Sequence, residues 1–183
     1  NDFYFQGPGA TFPLGQIQSQ GRTHGIMAKV VMPLIPLWMY TAWMQRGVDW
    51  LVMTEDLPTV DNRVTVDASG RIRLHYQRNN VGAHKQLVRE WKRIMRRLGF
   101  WVTMSYSHRN RNTTHQCGTL VFGTDPTASV LDPFCRTHDI ENLFVVDGSF
   151  FPSSAAVNPA LTIIAQAIRV ADYLKAEVLR RTS

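Results

Sequence analysis

The chain has 183 residues, enough for one domain with a hydrophobic core or one domain with an appendage. Hydrophobic residues make up 44% and charged residues 19%, which excludes wholesale disorder. The formal net charge is +6, and much of the basic excess lies between Arg71 and Arg111. Two cysteines, Cys117 and Cys135, are too few for a disulfide framework and lack metal-ligand spacing, so the sequence predicts free thiols and no metal site.

The N-terminal residues do not read as a natural protein start. Asn1 takes the place of an initiator methionine, and neither a basic segment nor an apolar signal segment follows it. We therefore expect the chain to be part of a longer protein. Glycines and prolines between residues 7 and 15 predict little regular structure from residue 1 to about residue 20.

The longest uncharged stretch runs from Val30 to Gln45 and contains Pro33 and Pro36. It is too short and too interrupted to span a bilayer. We interpret it as a segment that is buried or packed at an interface. The alternative is a peripheral membrane contact through four side chains, Trp38, Met39, Tyr40 and Trp43.

Short strands are predicted next. The apolar run Trp50–Met53 suits a buried strand. Polar and apolar residues alternate in 63–67 and again in 71–76, on either side of Ala68-Ser69-Gly70. Two alternating runs around a glycine-containing turn predict a β-hairpin.

A helix from about Gly82 to Leu98 follows, with Asn79-Asn80 as its predicted cap and Gly99 at the position where a helix ends. Its apolar stripe consists of Val88, Trp91, Ile94, Met95 and Leu98. The opposite face is basic and consists mainly of Lys85, Arg89, Lys92, Arg93, Arg96 and Arg97. A solvated face is favoured over nucleic-acid or acidic-partner binding because no aromatic residues interleave these charges.

The last third of the chain changes character. The run from Asn142 to Asp147 is apolar almost throughout, which suits a strand buried on both faces of a parallel sheet. The helix from Ala160 to about Glu177 has a nearly uncharged first half, so we expect burial on most sides. The fold class expected is α+β, with an antiparallel sheet and helices first and a C-terminal strand–helix segment that belongs to an α/β layer.

Three short motifs in this region could carry chemistry. His115 lies in His115-Gln116-Cys117-Gly118-Thr119, and a histidine side chain can take a proton from an alcohol. Asp147-Gly148 ends the predicted strand, where open α/β sheets bind ligands. Asn158-Pro159 reads as N-cap and first helical residue, which aims backbone N–H groups at an anion or a ring that becomes one. Taken singly, each has a structural alternative: an exposed histidine, a turn and a helix cap.

In this order, the three motifs resemble the C-terminal region of the glucose–methanol–choline (GMC) family of flavin oxidoreductases. The resemblance is strongest from Thr114 to Leu174. It is weaker over Glu55-Asp56-Leu57-Pro58 and Asn62-Arg63-Val64, which look like the lead-in to the substrate domain of that family.

The resemblance implies oxidation of an alcohol or sugar CH–OH group with FAD as cofactor. It implies that His115 is the base and that Asn158 occupies the second active-site position, which is His or Asn in the family. Asp147 and Gly148 would approach the ribityl-pyrophosphate portion of FAD, and Asn158 with Pro159 would lie against the flavin ring. The implied partners are a small alcohol or sugar and the FAD-binding portion of the same protein, without nucleic acid or membrane.

One departure matters for interpretation. The Gly-x-Gly-x-x-Gly fingerprint of the family is absent from these residues, so we expect the pyrophosphate-binding glycines to lie upstream of Asn1 or to be missing altogether. The resemblance then assigns residues 1–110 to a substrate-domain portion and 111–183 to a segment that completes the FAD domain. It also implies that the fragment alone is inactive. The alternative from the residues is a cofactor-free substrate-binding or interaction module.

Overall fold

The structure is a computed structural model that describes residues 14–22, 34–107, 114–178 and 180. It is an α+β mixture of small antiparallel sheets and helices, which confirms the expected fold class. The elements in chain order are β1 (Gln16–Gly21), α1 (Leu37–Met44), β2 (Asp49–Met53), β3 (Arg63–Val66), β4 (Ile72–His75), α2 (Val81–Arg97), a 3-10 turn (Gly148–Phe150), α3 (Ala160–Tyr173) and a π-helical turn (Leu174–Val178). The described residues form two compact units: the first contains 14–22, 34–54 and 82–101, and the second contains 55–81, 102–107, 114–178 and 180. The domain boundary expected near residue 110 concerns a complete flavoprotein and stays a prediction.

The first unit contains the antiparallel pair β1–β2. Gln16 lies opposite Met53, and an irregularity between Ser19 and Gly21 ends the regular register. β2 confirms the strand predicted from the apolar run but not its burial, because Trp50 is exposed and the other residues are only partly buried. β1 was not expected, because Ile17 is the only apolar residue in it. It is a strand because its backbone pairs with β2, and the sequence pattern of β1 alone does not indicate this pairing.

Helix α1 lies within the uncharged stretch that was expected to be buried. Tyr40 is fully buried, whereas the Trp38 side chain is 72% exposed, and Met39 and Trp43 are also exposed. The helix is apolar on every side, so packing one face against the described part of its own unit leaves the other faces uncovered there. Among the helices of the described ranges, none has the length and hydropathy needed to cross a membrane.

Helix α2 confirms its prediction to within a residue. Leu87 and Met95 are buried, and the Trp91 ring meets the Trp50 ring edge-on at 4.7 Å between centroids. Its C-terminus is a Schellman motif: Phe100 N donates to Met95 O at 2.9 Å, and Gly99, at φ +91°, donates to Arg96 O at 3.1 Å. Glycine is favoured at this position because the left-handed conformation disfavours a Cβ.

The predicted cap of α2 is wrong. Asn80 has φ +52°, outside the extended conformation of an N-cap, and both asparagine side chains point elsewhere. The Asn79 amide donates to Leu57 O at 2.5 Å and accepts from Leu57 N at 3.0 Å, while Asn80 Nδ2 donates to Glu55 O at 2.9 Å. Because an amide offers both donors and an acceptor, these residues clamp the backbone of 55–57 instead of capping a helix.

The hairpin β3–β4 is confirmed. Val64 lies opposite Leu74, and Gly70 at φ +78° closes the turn. The Asp67 carboxylate accepts hydrogen bonds from Ser69 and from the Arg71 backbone, and these bonds hold the pKa of Asp67 below its usual value.

The core of the second unit contains four buried residues, Leu131, Cys135, Phe150 and Val170. The run at 143–146 packs beside it but forms a single antiparallel bridge, Phe144 with Arg136, instead of the expected strand. Leu143 is 44% and Val146 36% exposed, so the run is not buried on both faces. Within the described residues, its backbone hydrogen bonds to other segments go to 135–137, and it does not pair with β3 or β4.

Helix α3 is also less buried than expected. Ile163 packs against the core and Val170 is buried, but Leu161 is 80%, Ile164 57% and Ile168 59% exposed. The expectation of burial on most sides is therefore wrong for this chain. The core of the second unit contacts one face of α3, and within the described residues no other segment covers the opposite apolar face.

Candidate active site

A cavity of about 80 Å³ lies in the second unit, beside the start of α3. The residues that line it are His115, Cys117, Phe151, Ser154, Ala155, Val157, Asn158, Pro159 and Thr162. Both residues predicted to be catalytic, His115 and Asn158, thus border one space although they are far apart in the sequence. The lining residues include no lysine, arginine, aspartate or glutamate.

The backbone of His115 has an uncommon conformation. Its φ is +61°, in the left-handed region that few non-glycine residues occupy, although histidine is among those enriched there. The residue is half-buried, and the Ser154 hydroxyl donates a hydrogen bond to its carbonyl oxygen at 3.2 Å. Such conformations persist where surrounding structure imposes them, and they cluster at active sites.

The Cys117 thiol forms part of the cavity wall. Burial raises the pKa of this thiol above its usual value, and a hydrogen bond with Ser154 offsets only part of that effect. Cys117 therefore stays protonated at neutral pH and contributes a small, weakly polar surface rather than a nucleophile.

Asn158 lies one residue earlier relative to α3 than the sequence predicted. The helix begins at Ala160, and Pro159 is its N-cap, with its carbonyl accepting the first helical hydrogen bond from Ile163 N at 3.0 Å. The prediction of Asn158 as N-cap and Pro159 as first helical residue is thus wrong by one position. Proline cannot cap through its side chain, and the Asn158 amide is left to border the cavity.

The N-terminus of α3 provides a positive electrostatic end. Its first turn contains no acidic residue, and no side chain hydrogen-bonds the cap. The amides of residues 160–162 precede the first helical hydrogen bond, and the helix dipole favours negative charge at this end. This arrangement suits an electronegative group bound beside Asn158 and Pro159.

Asp147 and Gly148 lie beside the cavity rather than on its wall. Asp147 caps the 3-10 turn: its carboxylate accepts from the Ser149 backbone at 2.8 Å and from the Ser149 hydroxyl, which lowers the pKa of Asp147. A Cβ on Gly148 would lie 2.7 Å from Gln116 O and 3.8 Å from Cys117 Sγ. The close backbone approach predicted at this glycine therefore exists between two segments of the chain itself. The predicted contacts of both residues with FAD stay predictions.

The lining residues that sequence reasoning did not single out include Cys117, Phe151, Ser154 and Thr162. Cys117 could have been found, because it belongs to the motif that contains His115. Thr162 lies in the first turn of the predicted α3, so it too had a signal. Phe151 and Ser154 had none, since their place depends on how the loop between the 3-10 turn and α3 folds.

A family model described as GMC oxidoreductase matches residues 58–167. The chain belongs to the GMC oxidoreductase family. The match spans more than half of the sequence and includes His115, Asp147, Gly148, Asn158 and Pro159, which confirms the resemblance inferred from the motifs. Members of this family are oxidoreductases.

Curated GMC relatives align over about two thirds of this chain. A 6'''-hydroxyparomomycin C oxidase of Streptomyces lividus is 31% identical over 140 residues, which is 67% of this chain and 25% of the relative. A 2-methyl-1,2-propanediol dehydrogenase of Mycolicibacterium austroafricanum is 35% identical over 130 residues, 66% of this chain and 24% of the relative. The fructose dehydrogenase large subunit of Gluconobacter japonicus is 29% identical over 141 residues, 70% of this chain and 25% of the relative. The alignments span about a quarter of the length of these relatives.

Proposed function

We propose that this chain provides the proton-accepting side of the active site in an FAD-dependent oxidoreductase that oxidises an alcohol or sugar CH–OH group. The observation that carries the proposal is that His115 and Asn158 line one cavity at the N-terminus of α3. The names of the relatives support the substrate class, because they include oxidases and dehydrogenases of a sugar, a diol and an aminoglycoside.

The residues around the cavity fit a flavin. The family is generally flavin-dependent, and the start of α3 offers unpaired N–H groups and no carboxylate in its first turn. Asn158 and Pro159 would hold the ring, and Asp147 with Gly148 would lie near the ribityl-pyrophosphate portion. When bound, FAD supplies the redox chemistry by accepting the hydride that leaves the alcohol carbon.

The residues of this chain handle the alcohol oxygen and its proton. An imidazole nitrogen of His115 takes the hydroxyl proton, so that the oxygen can form the carbonyl of the product. The side-chain amide of Asn158 donates a hydrogen bond to the same oxygen and fixes its direction. Phe151, Val157 and Cys117 form the less polar wall, which limits the access of water.

The test of the proposal is the spectrum of the complete protein that contains this chain. We expect absorbance bands of a bound flavin in the visible region, and we expect an alcohol or sugar substrate to bleach them in the absence of oxygen. A protein purified without flavin that FAD cannot reconstitute would contradict the proposal. That result would favour the cofactor-free binding module.

Replacing Asn158 by alanine should lower kcat roughly three- to tenfold, the range expected for one lost hydrogen bond of ordinary strength. We express kcat per bound flavin, because Asn158 is one of the two residues expected to hold the flavin ring, and its replacement should also lower the flavin content. Asn142→Ala is the matched control, since Asn142 is an exposed asparagine that does not line the cavity. Equal kcat values for the two variants would remove Asn158 from the proposed site.

Residues 1–183 expressed alone should bind FAD weakly or not at all, and should self-associate. The chain lacks the pyrophosphate fingerprint, and Leu143, Leu161 and Ile168 expose apolar surface. Flavin fluorescence during titration measures the binding, and sedimentation measures the association. Stoichiometric, sub-micromolar binding of FAD to a monomer would contradict this prediction.

A further inference from the structure

The segment that carries Ser154 is joined to a distant part of the same unit. Asp56 N donates to Ser154 O at 3.0 Å, and Ser154 N donates to Asp56 O at 3.3 Å. The two residues thus form an isolated antiparallel bridge. Because both backbone groups of Ser154 are used in this bridge, its backbone is held in place relative to Asp56.

The Ser154 hydroxyl reaches from this bridge to the carbonyl oxygen of His115, at 3.2 Å. His115 has a left-handed backbone conformation, which costs free energy and needs neighbouring contacts to persist. Of the contacts that the structure describes, this hydrogen bond is the one made by a side chain directly to the backbone of His115. This hydrogen bond therefore helps to determine the position of the His115 imidazole in the cavity.

The Asp56 end of the bridge is itself held firmly. The Tyr76 hydroxyl donates to Asp56 Oδ2 at 2.6 Å. Burial first, and the bond to Asp56 second, raise the pKa of Tyr76 to about 12, so this donor keeps its proton at neutral pH. The Asn79 and Asn80 amides hold the backbone on both sides of Asp56, at Leu57 and Glu55. Ser154 is thus attached to a fixed segment.

We propose that Ser154 is a positioning residue for His115. Its backbone is held by the bridge to Asp56, and its hydroxyl holds the backbone of the proposed base through the hydrogen bond to His115 O. The proposal rests on the role of His115 under the proposed function and extends it to a residue that lines the same cavity and acts through the His115 backbone. The proposal also assigns a structural role to the Glu55–Pro58 motif, which has no part in the proposed catalytic steps.

The first test measures the local stability of the His115 segment in the complete protein. Hydrogen exchange followed by mass spectrometry should show faster exchange in a peptide covering 114–120 for Ser154→Ala, by about three- to tenfold, as for one lost hydrogen bond. Ser153→Ala is the matched control, because the Ser153 hydroxyl donates to Glu55 Oε1 at 2.5 Å and not to His115. Its exchange in the same peptide should be unchanged.

The second test separates positioning from general stability. With D-fructose and 2-methyl-1,2-propanediol as probes, Ser154→Ala should lower kcat about three- to tenfold at unchanged KM and flavin content. Ser154→Thr, which keeps the hydroxyl, should restore most of kcat. If Ser154→Ala does not fold, Ser154→Cys replaces it, since this change keeps the volume, weakens the donor and should give an intermediate exchange rate.

The results distinguish this inference from the proposed function. Unchanged exchange at 114–120 in a folded Ser154→Ala or Ser154→Cys protein would overturn the positioning role. The same conclusion follows if Ser153→Ala has an equal effect, or if kcat is unchanged while His115→Ala is inactive. If His115→Ala keeps full turnover, the proposed base is wrong, and a positioning role for Ser154 is wrong with it.

Discussion

Replacing His115 by alanine should lower the turnover of the complete, FAD-loaded protein by on the order of 100-fold or more. The reason is that His115 is the one basic residue that lines the cavity, so the variant has no basic side chain there to accept the alcohol proton. Flavin content should not change, because the imidazole is not among the groups expected to hold FAD. Steady-state kcat with an alcohol or sugar substrate, and the flavin-to-protein absorbance ratio, measure the two quantities.

His75→Ala is the control for this variant. His75 is an exposed histidine of β4 whose ring bonds Thr65 Oγ1 at 3.0 Å, and it does not border the cavity. Its replacement should leave kcat within about twofold of the unchanged protein, as for an ordinary surface substitution. A His115→Ala protein with the turnover of the His75→Ala protein would remove His115 as the base.

Replacing Gly148 by alanine should destabilise the protein by about 1–3 kcal/mol. The added Cβ would lie 2.7 Å from the carbonyl oxygen of Gln116, a backbone atom, so one of the two segments must move. We therefore expect the melting temperature of the complete protein to fall below that of the unchanged protein. Because Gln116 follows His115 directly, turnover should fall as well.

The matched control for Gly148→Ala is Gly82→Ala. Gly82 lies in α2, and a Cβ added there meets no atom within 4 Å. Alanine is the better helix former by up to about 1 kcal/mol, so this control should be neutral or stabilising. A melting temperature for Gly148→Ala that equals or exceeds that of Gly82→Ala would show that the 116–117 segment does not approach residue 148 as closely as described.

Elements whose signals are local could be predicted from the sequence. The β3–β4 hairpin followed from alternation around Gly70, and the end of α2 followed from Gly99. The three motifs of the last third identified the family and the two residues, His115 and Asn158, that the structure places at one cavity. In each case a few neighbouring residues determine the outcome.

Features that depend on distant partners could not be predicted. Asn79 and Asn80 carry a capping signal, yet their amides bind the backbone of 55–57, which no local pattern indicates. The run at 143–146 has the composition of a buried strand, but within the described ranges its backbone pairs with one segment only. Ser154 is held beside the cavity by its backbone bridge to Asp56, so its position also depends on a residue that is remote in sequence.

The most direct test of the account is a structure of the complete protein with FAD and a bound substrate analogue that keeps the reacting hydroxyl. The account predicts that one substrate oxygen lies within about 3.2 Å of both an imidazole nitrogen of His115 and the side-chain amide of Asn158. The carbon that bears this oxygen should face the flavin ring. An oxygen bound elsewhere, or His115 and Asn158 on opposite faces of the flavin, would contradict it.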